Sequence, residues 1–150
     1  MHDEGDRKME AVLARAQAAV ADLAKNYAPN TLVDLERCAA LLQAARTDPA
    51  GRGARVKDIY GIAHNMKGQG SSFGFPLVTR IGQSLCALTR RERAFSDQDL
   101  AVIQAHFEAL KLILTKDIKG DGGEVGGKLA ARLEAMVAQL PQAAPEPARE

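Results

Sequence analysis

Apolar residues recur along this chain at steps of three and four almost without interruption, the period of helices with one buried face. Met9, Val12, Leu13, Ala16, Val20 and Leu23 mark the first stripe, and Asp6 reads as its N-cap. Tyr27-Ala28-Pro29 is expected to end that helix, because proline removes a backbone donor and crowds the preceding turn. A second helix is expected from Thr31, where Thr31 and Asp34 match a capping box and Leu32, Leu35, Cys38, Ala39, Leu42 and Ala45 form the stripe. "TDPAGRG" then breaks the pattern. A third helix spans Ala54 to Ser72. A fourth opens on Pro76, suited to a first turn, and ends near Arg93, with Leu77, Ile81, Leu85 and Leu88 inward. Ser96 and Asp99 make a second capping box before a fifth helix carrying Leu100, Ile103, Phe107, Leu110 and Leu114. "KGDGGEVGG" reads as a loop, and a sixth helix runs from near Val125 to Leu140, stopped by Pro141. No alternating strand pattern and no internal repeat interrupts this reading.

Short loops between amphipathic helices favour antiparallel neighbours. The expected fold is therefore all-α, an antiparallel up-down-up-down four-helix bundle with additional N- and C-terminal helices. Its parts are an N-terminal helix over residues 1–30 packing on the bundle, the bundle itself at 31–118, a Gly-rich loop and last helix at 119–140, and a Pro- and Ala-rich disordered tail at 141–150.

The third helix holds a local conflict. "AHNMKGQGSSFG", residues 63 to 74, lies on a helical pattern yet carries glycines at 68, 70 and 74. Each glycine inside a helix costs roughly 1 kcal/mol relative to alanine. At 100° per residue, Ile59, Ile62, Ala63, Met66, Gly70 and Phe73 share one stripe, and His64 points roughly 150° away from its centre. His64 is thus expected to face solvent. Lys67 and Gly68, three and four residues on, are its neighbours on the helix surface. A surface imidazole offers a neutral nitrogen nucleophile near pH 7. A lysine beside it suits a transferred phosphoryl group, whose negative charge is spread over its oxygens. Gly68 leaves room for another molecule to approach closely.

His64-x-x-Lys67-Gly68, followed by Gly74 before the next helix, resembles the signature of histidine-containing phosphotransfer (HPt) domains. The similarity of helix pattern extends over residues 31–118. The resemblance implies a four-helix bundle with the histidine exposed on a central helix. It implies that His64 is the phosphorylated residue, Lys67 the phosphoryl-stabilising residue, Gly68 the close-approach position and Gly74 the turn glycine. Gln69 stands where the family usually has a small residue. The family often places a polar side chain of the next helix against the imidazole, and Arg80, Gln83 and Ser84 are candidates among which the sequence does not choose.

Composition narrows the field. The chain has 150 residues, of which 46% are hydrophobic and only 4% aromatic, so the core is built from aliphatic side chains. A net charge of +1 lacks the basic excess of a nucleic-acid binder. Arg90, Arg91 and Arg93 read as a solvated helix end whose charges suit the dipole. Cys38 and Cys86 form no C-x-x-C pair and read as free thiols of a reducing cytoplasm. No apolar run is long enough for a membrane span, and "MHDEGDRKME" carries no signal-peptide core.

Three motifs mislead. Gly122 to Lys128 satisfies G-x-x-x-x-G-K, but Leu129 follows where a P-loop needs Ser or Thr, and a helix precedes where it needs a strand. "DIKGDGGE" places Lys119 at a calcium-ligand position and lacks the final glutamate. His106, on the flank of the fifth helix, is expected to cap the edge of the core, and no acidic or cysteine set joins it to His64 as a metal site.

The expected function is that of a cytoplasmic phosphorelay intermediate, not an enzyme in the turnover sense. It takes a phosphoryl group on His64 from a receiver-domain aspartate and passes it to another receiver, with a hybrid sensor kinase as a further partner. No cofactor or metal is expected on this chain, since Mg²⁺ belongs to the partner receiver, and neither nucleic acid nor membrane is expected as a partner. A monomer is expected, with the first helix covering one end of the bundle or mediating self-association. One alternative is a helical adaptor that binds a response regulator without chemistry. Another, a sensor-kinase phosphoacceptor domain, fits poorly: Asn65 follows His64 where an acidic residue is usual, and the proline is missing.

Overall fold

A computed structural model describes residues 3–142. Among them are five α-helices and no strand: α1 (Asp3–Thr47), α2 (Arg52–Gly70), α3 (Pro76–Thr89), α4 (Asp97–Thr115) and α5 (Gly123–Gln139). The chain is all-helical. α1 packs on α2 and α4, α3 packs on α2 and α4, and α5 lies on α3 and α4. Leu42, Val56, Ile59, Ile81, Leu85, Leu88, Ile103, Leu110 and Ile113, all fully buried, draw the core from α1 through α4. The tail expected at 141–150 lies, beyond Gln142, outside the described residues.

The two helices expected on either side of Pro29 are one. α1 runs through Pro29, and Thr31 is no cap: its hydroxyl donates to the Tyr27 carbonyl at 2.7 Å from inside the helix. The proline cannot donate to the Lys25 carbonyl, but Lys25 and Pro29 are both exposed, so water can serve the orphaned acceptor. On the opposite side Tyr27 is buried. Its ring stacks on Phe73 at 5.1 Å and its hydroxyl donates to the Met66 carbonyl at 3.3 Å. Tertiary packing thus holds the turn that proline weakens. From Asp3 to Asn26 every residue of α1 is exposed except the half-buried Ala24, so this segment does not pack on the rest of the molecule as expected.

α3 ends at Thr89, earlier than expected, and the arginines after it are not a solvated helix end. The Arg93 side chain is buried and pairs with the buried Asp99 through both terminal guanidinium nitrogens, the longer contact being 3.0 Å. Burial pushes the Asp99 carboxyl up, but the Arg93 guanidinium and the Ser96 backbone N–H together outweigh it and hold the group below its ordinary range. Ser96 and Asp99 complete the expected capping box, so one carboxylate both starts α4 and fixes the α3–α4 connection. Arg91 donates to the carbonyls of Val137 (3.3 Å) and Pro141 (3.4 Å), covering the C-terminal end of α5. Arg52 joins three segments, donating to Ala45 and Phe95 carbonyls and pairing with Asp97.

Gly126 gives one glycine of the P-loop-like stretch a packing role. A Cβ there would stand 2.6 Å from the Asp121 carbonyl oxygen and 3.1 Å from Leu77 Cδ2. The bare backbone lets the first turn of α5 sit on α3, while Lys128 pairs with Glu124 in solvent.

Candidate functional site

α2 buries Val56, Ile59, Ala63, Met66 and Gly70 and exposes Gly61, His64, Asn65, Gly68 and Gln69. Its weakness is therefore one-sided. A Cβ added at Gly61 or Gly68 would meet nothing within 4 Å. The exposed imidazole of His64 stands between two cleared positions, one turn before it and one turn after. The Tyr60 ring lies beside it, 5.8 Å between centroids. Among the described residues no side chain hydrogen-bonds the His64 ring.

The other glycines serve packing and turning. A Cβ at Gly70 would fall 2.7 Å from Thr79 Oγ1 and 2.9 Å from the Phe75 carbonyl oxygen. Gly70 is thus the point where α2 touches the start of α3. Gly74 has φ +88°, the left-handed conformation that favours glycine, and reverses the chain between the two helices. The reversal is tied down by Thr79. Its hydroxyl donates to the Lys67 carbonyl (3.0 Å) and accepts from Ser71 N (2.9 Å) and Ser71 Oγ (3.0 Å), while Phe75 N donates to the Gly70 carbonyl (2.8 Å). These bonds compensate a glycine-weakened helix end.

Lys67 is half-buried because α3 offers it a groove. A Cβ at Gly82 would stand 3.1 Å from Lys67 Cβ, so only a glycine lets the lysine stem lie this close against α3. The charge reaches the neighbouring thiol: burial pushes Cys86 up, while Lys67 and Arg90 pull it down. The lysine therefore has a fixed stem one helical turn from His64, on the same side of α2 as α3.

The structure separates the three candidates on α3. Ser84 is buried and bonded to His106 Nε2 at 2.9 Å, so it is turned into the core, away from the exposed imidazole. Arg80 is occupied by Glu134 of α5, with contacts of 2.7 and 3.3 Å. Gln83 is exposed and, among the described residues, has no hydrogen-bond partner; it follows Gly82, against which Lys67 lies. Gln69 is exposed. His106 does not cap the core edge as expected. It is fully buried, with Nδ1 2.7 Å from the Val102 carbonyl, and burial lowers its pKa. No three His, Cys, Asp or Glu side chains cluster as a metal site among the described residues, and no described helix is long and apolar enough to cross a membrane.

Sequence reasoning missed Tyr60, Thr79 and Gly82. Tyr60 stands four residues before His64, a spacing that by itself makes the two rings neighbours. Gly82 is a glycine inside a helical pattern, the usual mark of a close approach. Thr79 carried no such signal. A shallow groove between α1 and α2 is lined by Arg37, Leu41, Lys57, Tyr60, Gly61 and Asn65, and His64 is not part of its lining.

No family model matches the chain, and neither a curated protein nor a solved structure matches it.

Proposed function

We propose that the chain is a histidine phosphotransfer protein of the HPt kind, in which α2, α3, α4 and residues 27–47 of α1 form the antiparallel four-helix bundle. The observation that carries this reading is the exposed His64 between the cleared backbone of Gly61 and Gly68, with Lys67 held one turn away against Gly82. A ring nitrogen of His64 attacks the phosphorus of an aspartyl phosphate on a receiver domain. The new N–P bond forms as the P–O bond to the aspartyl carboxylate breaks, the carboxylate leaves with the electron pair, and the imidazole loses the proton on its other ring nitrogen to solvent. Lys67 offsets the negative charge on the phosphoryl oxygens. Transfer to a second receiver is the reverse reaction.

The chemistry asks little more of this chain. Mg²⁺ and the donor come with the receiver. The open faces of Gly61 and Gly68 give a receiver a surface to rest on while its aspartate comes into line. The test is transfer from a phosphorylated receiver to wild type beside His64→Gln. Acid-labile phosphate on wild type alone is expected; equal labelling of the variant overturns the assignment. Receiver binding without any transfer, unchanged in His64→Ala, would establish the adaptor instead.

A further inference from the structure

The segment Asp3–Asn26 projects from the body as about 36 Å of helix at 1.5 Å per residue. Met9, Val12, Leu13, Val20 and Leu23 are each 52–61% exposed. Their positions are not scattered. Met9, Leu13, Ala16, Val20, Leu23 and Tyr27 follow one another at alternating steps of four and three, the seam of a coiled coil. Tyr27 is the first residue of that seam to be buried, and Leu35, Cys38, Leu42 and Ala45 are buried farther along α1. An open stripe thus runs without a break into one that other helices of the same chain already cover.

We propose that this segment pairs with the same segment of a second copy, antiparallel, about a two-fold axis at Ala16. A two-fold contact requires a patch complementary to itself, and the seam together with its flanking Val12 and Ala19 maps onto itself when the chain is reversed about Ala16. Around Ala16, Met9 falls opposite Leu23, Val12 opposite Val20, and Leu13 opposite Ala19, a large side chain against a small one. The register also uses the free length. It sets Asp6 opposite Asn26 of the second copy, the last exposed residue before that copy's buried Tyr27, so the two bodies lie at opposite ends. A parallel pair would bring Asp3, Glu4 and Asp6 against the same three acids and align the helix dipoles. The antiparallel pair instead places the two acidic turns at opposite ends and opposes the helix dipoles. A lipid surface fits less well, since the helix bears Asp3, Glu4, Asp6, Glu10 and Asp22 among Arg7, Lys8, Arg15 and Lys25, rather than a basic polar face.

The test uses the full chain and is independent of His64. Sedimentation equilibrium at micromolar concentration is expected to show a dimer for wild type and a monomer for Leu13→Glu combined with Val20→Glu, with helical circular dichroism retained. Under mild oxidation, Met9→Cys mixed with Leu23→Cys is expected to give a mixed disulfide dimer that neither gives alone; Cys38 and Cys86 are buried. A wild-type monomer overturns the proposal, including one that binds anionic vesicles through this helix. So does a dimer that survives the double substitution, and so does Met9→Cys crosslinking to itself, which would mean a parallel pair.

Discussion

At the scale of single residues, the glycines of α2 divide into those that serve the fold and those that serve the surface. Gly70→Ala drives a methyl group into Thr79 and the Phe75 carbonyl, and is expected to cost about 1–3 kcal/mol of stability, as overpacking does. Gly68→Ala meets open space and is expected to raise stability by up to about 1 kcal/mol through helix propensity while slowing phosphotransfer. Thermal melts beside transfer rates check both; a Gly68→Ala protein that transfers as fast as wild type would remove the landing role given to that face. Lys67→Ala is expected to slow transfer about tenfold, the equivalent of about 1.4 kcal/mol of lost charge stabilisation. That His64, Lys67 and Gly68 are neighbours on α2 was legible in the sequence because spacing alone fixes neighbours on a helix, and Gly74 was legible as the turn before α3. The different settings of Arg80, Gln83 and Ser84 were not, since they depend on how α3 is rotated, and burial of Ser84 and pairing of Arg80 are tertiary facts.

At the scale of elements, the periodic stripes of residues 52–139 gave the helices to within a few residues, and the Ser96–Asp99 cap stands where its pattern put it. The failures have physical causes. Proline weighs heavily in a local reading, but Tyr27 stacked on Phe73 and bonded to Met66 holds α1 through Pro29. An arginine after a helix end usually faces water, but Arg93 answers a carboxylate six residues on. Arg93→Ala leaves the Asp99 carboxylate buried without its counter-charge. A loss of about 3–5 kcal/mol is expected, measured by denaturant unfolding. A cost below about 1 kcal/mol would show that the pair is solvated and that the α3–α4 connection is held by other contacts.

At the scale of the whole molecule, two buried titratable groups set how the fold responds to acid. His106 is buried at the α3–α4 contact, and burial lowers its pKa below the ordinary histidine value of about 6.5. Its unfolded form takes up a proton first, so stability is full above about pH 6.5 and falls as pH drops below it, by at most about 1.4 kcal/mol per pH unit. Asp99, held below 3.8, adds a second loss at lower pH as its carboxylate is protonated in the folded state. Urea unfolding between pH 7 and pH 5 is expected to show the first decline, and His106→Gln to flatten it. The relay reading makes a sharper demand of the three histidines in the sequence, His2, His64 and His106. The most direct measurement is a nitrogen-15 spectrum of the imidazole side chains during incubation with phosphorylated receiver domains. The His64 resonances are expected to move to those of a phosphoimidazole while His106 stays in place. A phosphorylated chain whose His64 resonances do not change would contradict the account.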